Sequence, residues 1–190
     1  MAAPQLSDRL LTAEEFFELS DPARGGKMEL ICGKVVRHMP VSGEHGETVV
    51  MLIEQLGLFI RKNALGKLLV EVSHLISRGP DVVLAPDASF VSNERMAATG
   101  FPKYGFLPFA PTLAIEVVSP GDLDSEVAEK IDRYLAAGVE RVWVVRPQRL
   151  SVSVFQGATS RIIGTGGKLT SDDASFTAKG FELPVADLFA

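Results

Sequence analysis

Two nearly all-apolar segments, separated by one amphipathic segment, constrain the fold more than any other feature of this sequence. TLAIEVV at 112–118 and RVWVVRP at 141–147 have the pattern of strands buried on both faces. Between them, DLDSEVAEKIDRYLAAGV has the spacing of an amphipathic helix that ends at Gly138. A strand, a helix and a strand in so short a span predict a crossover unit with parallel or nearly parallel strands.

Shorter patterns predict the elements that precede this unit. LTAEEFFELSD has a capping box between Thr12 and Glu15 and predicts a short helix. KMELICGKVVRHMP alternates on both sides of Cys32-Gly33, which predicts a hairpin whose turn is built around Gly33. The apolar spacing after Ser42 is that of one helical face and predicts a long helix capped by that serine.

The rest of the chain is predicted as strands and one long loop. KLLVEVSHLIS is expected to be one strand and VVLAPDASFV a second strand kinked at Pro86, with a turn at 78–81 between them. Residues 92–111 predict a long loop with one helical turn. LSVSVFQ and SRIIG are predicted as outer antiparallel strands, and FELPVADLF as an edge segment followed by a turn of helix. These elements predict an α/β (α+β) domain.

Length and composition favour a single domain. The chain has 190 residues, 46% of them hydrophobic, so residues 1–190 are interpreted as one domain whose segment 1–9 is loose. Cys32 is the one cysteine, which excludes an internal disulfide and a multi-thiolate zinc site. The acidic N-terminal sequence lacks the apolar run of a signal peptide, and the apolar stretch 104–115 is too short to cross a bilayer. We therefore expect a cytoplasmic protein with no membrane partner.

The net charge of -5 bears on the class of partner. Proteins that bind a long nucleic-acid backbone are usually basic on the binding face, so this charge weakens a nucleic-acid interpretation without excluding it. Carboxylates that bind a metal would themselves contribute to the negative charge.

One glutamate lies where a bare carboxylate is costly. Glu116 stands inside the apolar run 113–118, so its burial requires a metal, a hydrogen bond or a counter-ion. Contact with an arginine, or exposure at the strand end, is the alternative.

Asp87 follows Pro86 in a turn-like dipeptide, but ASFV continues as a strand after it, which favours Asp87 over Asp81 as a metal ligand. Two strand-borne acids predict a site for a divalent metal.

Lys130 is the candidate cation beside these acids. It lies three residues after Val127 and four before Tyr134, at the border of the apolar face of the predicted helix. From there its ammonium could reach the end of the strand that carries Glu116. The same spacing suits a lysine whose side chain covers apolar surface, and the sequence leaves both interpretations open.

Together these segments resemble one known family. MELICGKVV, SGEHGETVV, APDASFV, LAIEVVSPGD, EKIDRYLAAGVERVWVVRP and VSVF occur in the order seen in the Uma-type family of putative restriction endonucleases, a branch of the PD-(D/E)XK nuclease superfamily. The resemblance covers about residues 10–189, and its most specific part runs from EVVSP through YLAAGV to VWVV.

The resemblance implies a restriction-endonuclease-like fold, a central mixed β-sheet flanked by helices, and a metal site. Asp87 and Glu116 are the implied metal-binding acids, with the Val117 backbone carbonyl as a further ligand of Mg²⁺ or Mn²⁺. In the superfamily a lysine stands two residues after the glutamate, where this chain has Val118, so Lys130 is expected to supply that ammonium. The implied reaction is hydrolysis of phosphodiester bonds in nucleic acid, with DNA as the expected substrate. Lys130 would orient the attacking water or stabilise the developing charge.

The resemblance also adds accessory candidates and shows departures. Glu47 in the long helix could add a carboxylate, and His45 at its start could be either a site residue or an N-terminal hydrogen-bonding residue. The hairpin turn is commonly an acidic IDGE, where this chain has ICGK at 31–34, and Arg146 stands where an aspartate commonly precedes the proline. These changes concern substrate contacts more than metal binding.

A second class of function stays open, namely a nuclease fold kept as a catalytically inactive binding or oligomeric module. The acidic net charge and the absence of lysine at Val118 favour it. For an active enzyme a homodimer is expected, because cutting both strands of a duplex is simplest with two active sites related by a two-fold axis.

Overall fold

The described residues, 9–19 and 26–190 of this computed structural model, form four α-helices and twelve β-strands. The helices are α1 (Ala13–Leu19), α2 (Gly43–Lys62), α3 (Asn93–Thr99) and α4 (Asp124–Ala136). The strands are β1 (Met28–Ile31), β2 (Lys34–Arg37), β3 (Gly66–Val70), β4 (His74–Ser77), β5 (Val82–Leu84), β6 (Ala88–Ser92), β7 (Leu113–Val117), β8 (Arg141–Arg146), β9 (Ser151–Gln156), β10 (Thr159–Gly164), β11 (Lys168–Thr170) and β12 (Glu182–Pro184). The predicted loose segment 1–9 lies, except for Arg9, outside the described residues.

The strand, helix and strand that dominate the sequence lie at the centre of a six-stranded mixed sheet. Its order is β10-β9-β8-β7-β6-β3. β7 and β8 are parallel, with Leu113 opposite Arg141, and the other neighbouring strands are antiparallel. The predicted crossover with parallel strands is therefore confirmed, as are β9 and β10 as outer antiparallel strands.

The central strands divide their alternate side chains between two hydrophobic cores. The first core joins α2 to one face of the sheet and includes Leu56, Ile115 and Trp143. The second joins α4 to the other face and includes Ile131 and Ala114. Because both faces are covered, every residue of β7 is buried. The predicted fold class, a mixed sheet flanked by helices in one domain, is confirmed.

A second sheet holds the predicted hairpin, in the order β2-β1-β5-β4 with antiparallel neighbours. Cys32 and Gly33 form its turn with φ of 50° and 75°, the left-handed conformation that a two-residue hairpin turn requires. A Cβ at Gly33 would lie 2.6 Å from the Cβ of Leu10. The turn therefore needs glycine both for its backbone conformation and for its close packing against the segment before α1.

Two segments predicted as single strands each divide between the two sheets, which corrects the sequence analysis. KLLVEVSHLIS forms β3 in the six-stranded sheet and β4 in the four-stranded sheet, with Glu71 between them at a φ of 52°. VVLAPDASFV forms β5 and β6, which are separated at Pro86. A left-handed residue redirects the chain, and a proline has no N–H to donate to a strand ladder, so each ends its strand. Asp87 consequently lies between a strand of one sheet and a strand of the other.

Helices α1 and α2 begin at the capping residues that the sequence predicts. None of the helices in the described part of the chain is long and apolar enough to cross a membrane. Thr12 Oγ1 accepts a hydrogen bond from the Glu15 N–H at 3.2 Å, and Glu15 Oε2 accepts one from the Thr12 N–H at 3.0 Å. Ser42 Oγ accepts a hydrogen bond from the His45 N–H at 3.2 Å. The capping box and the serine cap are confirmed, and α3 is the helical turn expected within 92–111.

Candidate active site

A cleft of about 1210 Å³ lies beside the start of β1, the end of β7 and the first turns of α2 and α4. Its lining includes five titratable side chains from separate parts of the chain, Lys27, His45, Asp87, Glu116 and Lys130. The two sheets and the helices α2 and α4 bring these side chains together, although Lys27 and Lys130 are far apart in the sequence.

Asp87 lies immediately before β6, and Glu116 lies on β7, the antiparallel neighbour of β6. Ala88 pairs with Ile115, and the two acids are the next residues outward from this pair. Asp87 Oδ2 accepts a hydrogen bond of 2.7 Å from the Val117 N–H. Both acids are buried, with 5% of Asp87 and 7% of Glu116 exposed. Carboxylates this deeply buried need partners that offset the loss of hydration.

Asp87 has a lysine and a histidine as further partners. Lys27 Nζ donates a hydrogen bond of 2.8 Å to Asp87 Oδ1. His45 Nε2 lies 3.7 Å from Asp87 Oδ2, and His45 Nδ1 lies 3.2 Å from Ser119 Oγ. Both interpretations of His45 therefore describe real contacts, because its backbone N–H binds the helix cap while its ring faces the acid.

Lys130 extends from α4 into a position between two glutamates. Its Nζ lies 3.3 and 3.2 Å from the two carboxylate oxygens of Glu116. It also lies 3.1 and 2.9 Å from the carboxylate oxygens of Glu29. Only 13% of the lysine side chain is exposed. The ammonium thus points inward to a pair of acids, unlike a lysine that covers apolar surface and ends in solvent.

Glu29 on β1 is the most buried acid of the site, with no exposed surface. Its Oε1 accepts a hydrogen bond of 2.9 Å from the Ala85 N–H, and its Oε2 lies 2.7 Å from His38 Nε2. Burial alone would raise the pKa of Glu29, but the hydrogen bond with His38 and the charges of Lys130 and Lys27 lower it to about 2. Glu29 is therefore ionised at neutral pH, and its negative charge holds Lys130 in place.

The cost of burying the charge of Glu116 is less completely offset by its partners than that of Glu29. Tyr134 Oη donates a hydrogen bond of 2.7 Å to Glu116 Oε1. Burial raises the pKa of Glu116 above its ordinary value, and the charges of Lys130 and Lys27 offset only part of this effect. Burial, together with the negative charge of Glu116, also raises the pKa of the Tyr134 hydroxyl. Tyr134 consequently stays protonated and remains a hydrogen-bond donor to the acid.

The neighbouring carboxylates raise the pKa of both lysines of the site. Burial alone would lower the pKa of Lys130, but Glu116 and Glu29 outweigh it and raise that pKa. Burial likewise acts to lower the pKa of Lys27, but Glu116 and Asp87 raise it. Both side chains are therefore ammonium ions, and the site contains two cations against the three carboxyl groups of Glu29, Asp87 and Glu116.

The cleft contains some of the predicted site residues and not others. Asp87, Glu116, Lys130 and His45 line it. Val117 also lines the cleft, and its N–H donates a hydrogen bond to Asp87. The predicted role of the Val117 carbonyl as a metal ligand stays a prediction. Glu47 is exposed on α2 and is not among the residues that line the cleft.

Sequence reasoning missed Lys27, Glu29, His38 and Tyr134 as members of this site. Glu29 stands between two apolar residues in MELI, and that pattern could have marked it in the same way as Glu116. Tyr134 was recognised only as part of the apolar face of the helix. Lys27 and His38 flank the hairpin, and no local pattern distinguishes them from ordinary surface residues.

The donor atoms fit a hard divalent cation such as Mg²⁺ or Mn²⁺. Asp87 and Glu116 offer oxygen atoms only, and those oxygens already face the ammonium ions of Lys27 and Lys130. Within 9–19 and 26–190, no group of three or more His, Cys, Asp or Glu side chains is arranged to hold a metal. Mg²⁺ does not require such a group, because it is commonly held by one or two carboxylates together with water and substrate phosphate.

Comparisons with known proteins agree with this architecture. The family model Uma2, described as "Putative restriction endonuclease", matches residues 13–186. A crystal structure of a putative nuclease belonging to DUF820 from Anabaena variabilis ATCC 29413 is similar in fold, with a TM-score of 0.77 and 20% identity. The match covers 94% of this chain and 97% of that chain. Among curated proteins no match is found.

Proposed function

Since the chain belongs to the Uma2 family of putative restriction endonucleases, we propose that it is a metal-dependent endonuclease that hydrolyses phosphodiester bonds in DNA. The observation that carries the proposal is the position of Asp87 and Glu116 next to the paired residues Ala88 and Ile115 at the cleft, with Lys130 Nζ 3.2 Å from Glu116. Two carboxylates and an ammonium beside an open cleft are suited to binding a metal and a phosphate together.

Asp87 and Glu116, with the Val117 carbonyl, are the groups proposed to hold Mg²⁺ or Mn²⁺. When bound, such an ion polarises the phosphate and lowers the pKa of a water molecule. Asp87 is oriented for this role by the Val117 N–H, and Glu116 by the Tyr134 hydroxyl. Since both orienting groups are buried hydrogen-bond donors, the carboxylates are held in place before any substrate arrives.

Lys130 is proposed to contact the substrate phosphate or the attacking water. Glu29 binds the same ammonium at 2.9 Å and acts as the positioning residue. It keeps the lysine charged and directed at the reaction centre. An ammonium fixed in this way stabilises negative charge that develops on the phosphate oxygens without having to reorganise during the reaction.

The alternative is a catalytically inactive binding or oligomeric module, and two observations favour it. Both acids are already paired with lysines, so the site is stable without a metal. The exposed acids Glu71, Asp122 and Glu126 also line the cleft, and the net charge of the chain is -5. Together these carboxylates disfavour a tightly bound nucleic-acid backbone.

Cleavage of supercoiled plasmid separates the two functions. The purified chain is incubated with Mg²⁺, Mn²⁺ or EDTA beside Asp87→Asn, Glu116→Gln and Glu54→Gln, the last being an exposed α2 position outside the cleft. We expect metal-dependent nicking by the unmodified chain and by Glu54→Gln, and a loss of at least about 100-fold in the two site variants. Equal rates in all four proteins would point to a contaminating nuclease. A parallel single-stranded RNA substrate tests the choice of DNA.

Two further aspects remain predictions from the sequence. A homodimer would bring two such clefts to the two strands of a duplex. A cytoplasmic location agrees with the use of a single cysteine. Sedimentation equilibrium checks the dimer, and fractionation of the source cells checks the location.

A further inference from the structure

Lys27 is a cation of the cleft that contacts a candidate metal ligand directly, and neither the sequence patterns nor the proposed reaction explains it. Its Nζ lies 2.8 Å from Asp87 Oδ1, and 16% of its side chain is exposed. Asp87 is, within the described residues, the one hydrogen-bond partner that its ammonium has. A buried lysine of this kind costs free energy, so its position beside a candidate metal ligand needs a reason.

The two lysines of the site differ in how firmly they are held. The ammonium of Lys130 lies between Glu116 and the fully buried Glu29. A movement of this ammonium would break its ion pairs with both carboxylates. The ammonium of Lys27 hydrogen-bonds, within the described residues, to Asp87 alone, although the charge of Glu116 also attracts it, and its side chain lines the cleft. Moving Lys27 therefore breaks hydrogen bonds to one carboxylate, whereas moving Lys130 breaks hydrogen bonds to two.

The backbone of Lys27 does not need to move for this to happen. Its carbonyl accepts a hydrogen bond of 2.9 Å from the His38 N–H, next to the start of β1. The main chain is thus tied to the hairpin while the side chain faces an open cleft. A rotation about the side-chain bonds is enough to carry the ammonium away from Asp87, since a long lysine side chain has several accessible rotamers.

The charges of the site favour such a movement when a divalent ion arrives. Three carboxylates and two ammonium ions leave a local charge of about -1, taking each group as ionised. A divalent ion at Asp87 would change this to about +1 and would repel the nearest ammonium. A phosphodiester carries one negative charge, which would restore neutrality.

We propose that Lys27 occupies the cation position at Asp87 until a divalent metal binds, and that its ammonium then moves to the substrate phosphate as a second catalytic lysine. This inference rests on the proposed function. It assigns different tasks to the two lysines, with Lys130 fixed at the reaction centre and Lys27 exchanging between Asp87 and the phosphate. The metal ion and the substrate consequently bind cooperatively.

The first test measures metal affinity without any cleavage. Isothermal titration calorimetry with Mn²⁺ compares the unmodified chain with Lys27→Met and with Lys34→Met, an exposed β2 position outside the cleft. Because the competing ammonium is gone, we expect Lys27→Met to bind Mn²⁺ about tenfold more tightly. Lys34→Met is expected to bind it like the unmodified chain. A gain in affinity cannot come from misfolding, and if circular dichroism shows that Lys27→Met does not fold, Lys27→Gln replaces it.

The second test measures binding of a duplex whose linkages are all phosphorothioates, by fluorescence anisotropy in Mn²⁺ and in EDTA. We expect Lys27→Met to weaken binding about tenfold in Mn²⁺, as for the loss of one charge-assisted hydrogen bond, and less than about twofold in EDTA. Equal weakening in both conditions, or none in Mn²⁺, overturns the proposal. So does Mn²⁺ affinity in Lys27→Met that is unchanged or lower.

The two tests keep the inference separate from the proposed function. An unmodified chain that binds Mn²⁺ but neither binds nor cuts nucleic acid refutes the proposed function and the phosphate contact together. The calorimetric comparison still decides whether Lys27 competes with a cation at Asp87. An unmodified chain that cuts plasmid, with Lys27→Met cutting equally fast, refutes the second catalytic lysine alone.

Discussion

Replacing Lys130 by methionine tests the buried charge cluster most severely, because it removes the shared cation of two acids. Lys130 Nζ lies 2.9 to 3.3 Å from oxygens of Glu29 and Glu116. A charge pair about 3 Å apart attracts by about 5 kcal/mol at an effective dielectric constant of about 20. Desolvation of the buried groups offsets much of this, and breaking a buried pair from one side typically costs about 3–5 kcal/mol. We expect that loss for Lys130→Met in urea unfolding at pH 7.

The pH dependence identifies the cause of the loss. Without the ammonium, the pKa of Glu29 and of Glu116 rises in the folded variant. A raised carboxyl pKa means that the folded state binds protons more tightly than the unfolded state, so the stability of Lys130→Met should recover as the pH falls from 7 to 5. Lys62→Met on the exposed end of α2 is the control and should change stability by less than about 0.5 kcal/mol. A loss below about 1 kcal/mol in Lys130→Met that is independent of pH would refute the reasoning.

Three further predictions follow from the same geometry. Tyr134→Phe removes the hydroxyl bonded to the buried Glu116 and should cost about 1.5–3 kcal/mol in urea unfolding at pH 7, whereas a cost near zero would mean that the acid does not need this donor. The pKa of Glu29 is lowered from 4.5 to about 2, so its stabilising effect is complete above pH 4.5 and is lost toward pH 2. The difference in unfolding free energy between the unmodified chain and Glu29→Gln should therefore shrink from pH 4.5 to pH 2, and a constant difference would contradict the lowered pKa. Glu126→Lys at the cleft should strengthen duplex binding and steepen its dependence on log salt concentration by about one, whereas Glu54→Lys, with the same change of net charge, should do neither if binding occurs at the cleft.

The elements that the sequence predicts well are those with a local chemical cause. The crossover follows from two apolar strands around an amphipathic helix, and the hairpin turn from a glycine at a left-handed position. Thr12 and Ser42 begin their helices because their hydroxyls satisfy N–H groups that no helical carbonyl can reach. Each of these features is decided within a few residues, so no knowledge of distant contacts is needed.

The division of two segments between the sheets was not predictable in the same way. The apolar pattern of KLLVEVSHLIS continues across Glu71, so the periodicity shows no break. The left-handed conformation of Glu71 is set by the sheets on both sides of it, and glutamate has no local preference for that conformation. Tertiary packing therefore decides where the strand ends, and an alternating sequence pattern carries no information about that packing.

The candidate site shows the same contrast. An acid inside an apolar strand, as at Glu116, signals a buried partner. Helix spacing made Lys130 a candidate for that partner but also suited a lysine that covers apolar surface, and the structure places its ammonium at Glu116. Lys27 precedes β1 of the four-stranded sheet, and its contact depends on the position of Asp87 between the two sheets. Partners that are brought together only by such a junction have no spacing in the sequence that would reveal them.

Anomalous diffraction from a crystal soaked in Mn²⁺ tests the central claim most directly, because it locates the ion without relying on turnover. We expect a peak about 2.1 Å from oxygens of Asp87 and Glu116, with the Lys27 ammonium no longer bonded to Asp87. A peak confined to the exposed carboxylates of the cleft rim, or no peak with Lys27 still 2.8 Å from Asp87, would contradict it.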